Sequence, residues 1–285
     1  MVREHVPKGD VGGRSIAASY EDAVKECEAK VAQIVAECRR DNKKYTDPHF
    51  DLDDFDFCLQ RLSVKSDAPT DSNDEQQARS ITYDVTQRGT STGGPIFWGD
   101  IQPYSPQSST AEDPKPGCAK RVGEIFEDPK FYVSGGANVK DTRQGAEGDC
   151  WFLASLDSLC VGDGFPHLIE RICPERARDE KVGVYGFVFN RDGEWISEIT
   201  DDKLYISAPD YDDCDDERRS VWDRSHFRLD PEVSREEYRK TFQRNSDALF
   251  YGSCSHPDET WVPLLEKAFA KAHGDYSAIN GGWPG

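Results

Sequence analysis

One helix dictates where the core of this chain must lie. Residues 144–160 read QGAEGDCWFLASLDSLC. Trp151, Phe152, Leu153, Leu156 and Leu159 make a helix starting at Cys150 apolar on most of its faces, so it must run through packed protein. Gly145 and Gly148 ahead of it permit a tight approach loop. The start of such a helix has unpaired backbone N–H groups. With the helix dipole they favour a thiolate at Cys150, and they can stabilise an oxyanion. Gln144 stands close enough in sequence to add a side-chain donor, and Asp149 opposes the thiolate if its carboxylate turns inward. The bland alternative for Cys150 is a structural cysteine packed on a core helix.

The charge balance narrows the functions open to such a chain. Among its 285 residues, 35 Lys+Arg stand against 54 Asp+Glu, a net charge of −19. A basic footprint for nucleic acid is missing, and an acidic surface is repelled by anionic membranes. Neither a signal-peptide core nor an apolar run of about 18 residues occurs, so no membrane span is expected. Nine cysteines at irregular spacing, without a C-x-x-C, read as reduced thiols of a cytoplasmic or nuclear protein.

Four regions follow along the chain. Residues 1–17 form a flexible tail, and 18–62 form a helical N-terminal segment. In the latter, 19–40 is an amphipathic helix with Ser19 as its N-cap and Val24, Cys27, Val31, Ile34, Val35 and Cys38 as its apolar stripe. The acidic and aromatic stretch YTDPHFDLDDFDF at 45–57 docks by its aromatics. Residues 63–117 are a low-complexity linker rich in Ser, Thr, Pro and Gly, in which only ITYDV and PIFW offer extended strips for docking. From 118 to 285 the chain is globular, with strand and turn character at 122–136. Residues 182–189, a turn at 190–193 and EWISEI predict a hairpin, and KLYIS at 203–207 a third strand of a small antiparallel sheet. Ser234 and Glu237 read as the capping box of a helix over 234–251, and 260–274 as the last helix, with Pro263 in its first turn and Gly274 beyond its end. The acidic run at 210–217 reads as a solvated loop.

The full motif Gln144-Gly-x-x-Gly-Asp-Cys150-Trp151 resembles the nucleophile motif of the calpain family of papain-like cysteine proteases at every fixed position. GEWISEITDDKL at 193–204 and LLEKAFAKAHGDYSAINGG at 264–282 are similar to further family segments, and DEKVGVYGFVFNRDGEWIS looks most like fungal members. The resemblance runs from about 120 to 283, with a weaker echo at 20–57 and an insertion at about 208–258.

The resemblance implies an α+β fold, the cysteine-nucleophile lobe of a papain-like core, helix-rich with a small antiparallel sheet. It implies that Cys150 is a nucleophile that forms an acyl-enzyme and that Gln144 helps build the oxyanion hole. It implies one Ca²⁺, with Asp141 and Glu259 at carboxylate ligand positions and Ser134 and Gly136 at backbone-carbonyl ligand positions. The implied activity is a calcium-dependent cysteine endopeptidase acting on intracellular proteins.

The same resemblance expects a catalytic histidine and asparagine from a second lobe that follows the Gly-Gly at 281–282, whereas these residues stop at Gly285. His273, with Asn280 behind it, stands at a papain-like separation from Cys150 but in the last turn of a helix, where capping is its ordinary role. His226 and His256 read as surface groups. Alone, the chain is therefore expected to have little peptidase activity, and to take protein substrates, a second catalytic lobe or another protein as partner. The alternative is a non-catalytic module that binds calcium or a protein partner.

Overall fold

The computed structural model describes residues 16–60, 115–133, 136–137, 142–146, 148–160, 168–226 and 229–281. The expected tail, nearly all of the linker with its ITYDV and PIFW strips, and the candidate ligands Ser134 and Asp141 lie outside them. In chain order the elements are α1 (Ile16–Arg40), α2 (Phe55–Gln60), β1 (Cys118–Arg121), α3 (Val122–Ile125), β2 (Thr142–Arg143), α4 (Cys150–Cys160), α5 (Leu168–Ile172), β3 (Arg178–Asp179), β4 (Val184–Arg191), β5 (Glu194–Asp201), β6 (Lys203–Ile206), α6 (Asp216–His226), α7 (Pro231–Phe242), β7 (Ser253–Cys254) and α8 (Trp261–His273). Helices with small antiparallel sheets make this an α+β architecture.

The hairpin β4–β5 is the spine. Its two-residue turn puts Asp192 at φ 55° and Gly193 at φ 87°, the left-handed pair that matches strand twist. Residues 184–188 are buried on both faces, which is why the sequence there is continuously apolar rather than alternating. Val184 and Val188 face α1, joining Cys27, Val31 and Cys38. Tyr185 and Phe187 face the main core with Phe152, Leu153, Leu156, Trp261, Leu264 and Ala268. Gly186 is required by the helix crossing: a Cβ there would lie 2.5 Å from Cys27 Sγ.

Several expectations are corrected. The third strand of the hairpin sheet is β3, not 203–207; β6 pairs instead with β1, Cys118 against Ile206. The 122–136 stretch begins with α3 rather than a strand. Helix α1 starts before Ser19, which is therefore not its cap. Helix α7 starts at Pro231 and ends at Phe242: Asp230 caps it, accepting from Glu232 N, and Pro231 suits the first position, where no N–H is needed. Ser234 is buried and accepts from Trp222 Nε1 instead. The acidic run is not a loop throughout, since it enters α6 at Asp216. Around Cys214, Trp222 and Tyr238 the insertion builds a small core of its own, braced by Gln243 Nε2 donating to Pro209 O and Asp210 Oδ1 and tied to the lobe by Lys120 Nζ of β1 donating to Asp210 Oδ2 at 2.8 Å.

The acidic stretch after α1 docks as expected, by apolar and charged contacts together. Phe50 and Leu52 are fully buried with Tyr205, Phe250, Tyr251, Ala270, Tyr276 and Ile279, each side chain worth about 1.5–3 kcal/mol of burial. Lys203 Nζ donates to Asp51 Oδ1 at 2.7 Å and Asp53 Oδ2 at 2.6 Å, and Lys271 Nζ to Asp47 Oδ2 at 2.8 Å. Arg121 pairs with Asp202 and donates to Tyr45 O at 2.9 Å. The N-terminal segment is thus part of the floor of the lobe.

Candidate active site

Cys150 is the first residue of α4 and is exposed, while Phe152, Leu153 and Leu156 behind it are buried. It alone among the nine cysteines is exposed; all nine are free thiols, six of them buried. Burial pushes the thiols of Cys27, Cys58, Cys118 and Cys173 up to about 12, so those sulfurs stay neutral and serve packing.

The chain in front of Cys150 is gripped from two sides. On one side Ala146 N donates to Phe250 O at 2.8 Å, and a Cβ on Gly145 would lie 2.3 Å from Tyr251 O and 2.4 Å from Phe250 O. On the other, Gly281 N donates to Gly148 O at 3.0 Å, and a Cβ on Gly148 would lie 2.7 Å from Asn280 Oδ1. Trp151 Nε1 donates to Ile279 O at 2.9 Å just past the thiol. Both glycines of the motif therefore answer to close approach of neighbouring chain, as the tight-loop expectation requires. Strand β2 leads into this loop, pairing Thr142 with Cys254, and Thr142 Oγ1 ties it to α4 through Asp157 Oδ1 at 2.6 Å. Gln144 follows β2 directly and is exposed, like Cys150.

The first turn of α4 forms on the main-chain carbonyl of Asp149, which accepts from Phe152 N at 2.8 Å and Leu153 N at 3.2 Å. The Asp149 carboxylate turns inward, is 2% exposed, and neither oxygen has a hydrogen-bond partner. It caps none of the first-turn amides.

The histidines that sequence spacing raised are engaged locally. His273 Nδ1 lies 2.8 Å from Phe269 O, four residues back, with its ring on Phe269. His226 Nδ1 lies 3.0 Å from Trp222 O and its ring stacks on Trp222. His256 Nδ1 accepts from Asp258 N at 3.3 Å.

Of the calcium-ligand candidates, Glu259 and Gly136 are described, and they converge on one loop. Glu259 is 2% exposed, and its Oε1 accepts from Val133 N at 2.8 Å. Gly136 has φ 78°, and a Cβ there would lie 2.6 Å from Glu170 Oε1. Glu170 carried no motif to flag it in the sequence; only the fold brings it to this loop. Among the described residues no three His, Cys, Asp or Glu side chains gather around one point. The Glu259 carboxylate and the Gly136 carbonyl are oxygen groups, the kind that suits a hard cation such as Ca²⁺.

The model of the calpain family cysteine proteases matches residues 103–223 and 238–284, the gap falling inside the insertion. The calpain-2 catalytic subunit of Gallus gallus is 29% identical over 199 residues, 67% of this chain and 22% of that protein. Calpain-8 of Mus musculus is 29% identical over 209 residues, 70% of this chain and 24% of its own length. A calpain of Schistosoma mansoni is 31% identical over 166 residues, 57% of this chain and 17% of its length. The chain thus spans less than a quarter of the curated relatives it matches. Among the described residues no helix is long and apolar enough to cross a membrane.

Proposed function

The chain belongs to the calpain family of cysteine proteases, and from that premise we propose that it is the nucleophile lobe of a calcium-dependent cysteine endopeptidase acting in the cytoplasm on proteins with unstructured segments. One observation carries the reading: the exposed thiol of the chain is Cys150, placed at the first residue of a helix otherwise sunk in the core. In this reading Sγ attacks a peptide carbonyl, and the α4 amides and Gln144 hold the oxyanion. The base and the amide that orients it come from a second lobe, not from His273, whose ring is bonded within its own helix. A cation held by Glu259, Gly136, Ser134 and Asp141 would cross-link the chain that leads toward the nucleophile motif to the segment that enters α8. A fungal type rests on the hairpin sequence at 179–197.

The test uses the protein as isolated from its source cells, incubated with an unstructured protein substrate. Cleavage in calcium, none in chelator, and loss with Cys150→Ala is the expected pattern. Cleavage that survives Cys150→Ala ends the nucleophile assignment, and equal cleavage in chelator ends the metal assignment. Calorimetry of the 285-residue chain with Ca²⁺ should show weaker binding in Glu259→Ala; unchanged affinity moves the cation elsewhere.

A further inference from the structure

The two grips on the nucleophile loop are joined to each other by a pair of rings. Phe250 and Tyr251 hold its leading side, and Ile279 and Gly281 its trailing side. The rings of Tyr251 and Tyr276 stack at 3.9 Å with planes 12° apart, locking one grip to the other. Tyr276 N donates to Cys58 O at 3.0 Å, at the end of the docked N-terminal segment, and its ring also meets Phe50 and Tyr205. After Tyr276, Asp275 Oδ1 folds the turn, accepting from Ser277 Oγ at 2.7 Å and Ala278 N at 2.8 Å. The other end of the 250–252 strip is fixed by Gly252 N donating to the buried Glu266 Oε2 at 2.8 Å.

We infer that Tyr276, stacked on Tyr251 and seated on the Cys58 carbonyl, is a positioning residue for Cys150, through which the docked N-terminal segment sets the pose of the nucleophile loop. This rests on the nucleophile assignment for Cys150. The ring does the work and the hydroxyl does not: burial, then the Glu266 carboxylate, push the phenol well above its usual range, so it exchanges no proton at neutral pH. Misplacing a reacting group by about 1 Å costs on the order of 10²-fold, so even a small relaxation of a doubly gripped loop is measurable.

The probe is p-nitrophenyl acetate. Cys150 Sγ bonds to the acetyl carbon, the ester C–O bond breaks, p-nitrophenolate departs, and the thiol proton passes to solvent. This step passes through an oxyanion and depends on the loop's pose; alkylation of the same thiol by iodoacetamide does not. Both are followed at Cys150 by peptide mapping of the 285-residue chain, with Cys160 as internal reference. Tyr276→Ala should slow acetylation about tenfold while changing alkylation less than about twofold, and Tyr276→Phe should restore the rate. Trp151→Phe, which deletes the bond to Ile279 O and trims the ring packed on Phe152 and Phe269, should slow acetylation several-fold and serves if Tyr276→Ala does not fold. Equal slowing of both reactions, or no change in either, overturns the positioning role. A wild-type Cys150 acetylated no faster than Cys160 defeats the nucleophile assignment itself, and the positioning role with it.

Discussion

Asp201 and Asp149 lie in the same lobe, 0% and 2% exposed, yet one is wrapped in donors and the other has none. Asp201 accepts from Lys267 Nζ, from Lys203 N at 3.0 Å and from Asp47 N at 2.9 Å. Lys267 is itself fully buried and donates further to Lys203 O at 2.9 Å. Burial disfavours charge on Asp201, but the Lys267 ammonium, its hydrogen bond and the two backbone donors outweigh it and hold the carboxyl below the usual carboxylate range. Asp201 sits where the N-terminal segment, the hairpin and α8 meet, so its charge is satisfied by the joint it makes. Asp149 sits one residue before an exposed thiol. An orphaned buried acceptor costs about 1–3 kcal/mol, and more when charged. A fold that keeps such a group at one place, while satisfying its counterpart completely, is spending stability on the nucleophile loop.

The largest test of this contrast removes the cation of the satisfied pair. Lys267→Met should cost about 3–5 kcal/mol in urea denaturation, because it leaves Asp201 buried and uncompensated, and Asp201→Leu added to it should recover most of the loss. A loss below about 1 kcal/mol would show that the pair is not the joint described. The pH dependence follows in sign. A carboxyl whose folded value is depressed stabilises fully above its unfolded pKa of about 3.9, and that contribution is lost as pH falls through the folded value. Wild type should therefore lose stability below about pH 4, and the double variant should lack Asp201's share of that acid limb. Next in size, Asp149→Ala should raise stability by about 1–3 kcal/mol, the reverse of the usual sign for a core substitution. Destabilisation there would mean that the carboxylate is held by a partner, and the contrast would fail.

The sequence was legible where a local pattern decides the structure. The α1 stripe, the hairpin with its Asp-Gly turn and the helix behind Cys150 each carry their own periodicity, so their buried faces could be read directly. The place of Cys150 at a helix start was legible in the same way. What could not be read depends on distant partners. Strand β6 has the composition of a hairpin partner, but its edge is taken by β1, more than 80 residues earlier in the chain, and strand pairing of that kind leaves no local mark. Ser234 has the spacing of a capping residue, but Trp222 Nε1 from the neighbouring helix claims its hydroxyl. Glu170 and Tyr276 belong to no motif, and only the fold sets one beside Gly136 and the other beneath the nucleophile loop.

The smallest test uses a third aspartate in the same position relative to a helix. Asp230 precedes α7 as Asp149 precedes α4, but Asp230 is exposed and its Oδ1 accepts from Glu232 N at 2.9 Å. It is an ordinary N-cap, and replacing such a cap by alanine costs about 1 kcal/mol, while asparagine keeps the acceptor and most of the stability. Because α6 and α7 close over their own core of Cys214, Trp222 and Tyr238, the loss in Asp230→Ala should appear as faster amide exchange confined to those two helices. The acetylation rate of Cys150 should stay at its wild-type value, since the bonds described for the nucleophile loop go to Phe250, Ile279 and Gly281 and not to α6 or α7. Two aspartates one residue ahead of a helix would then respond to the same substitution with opposite signs. The difference is set by whether the carboxylate meets the helix amides or turns away from them into the core.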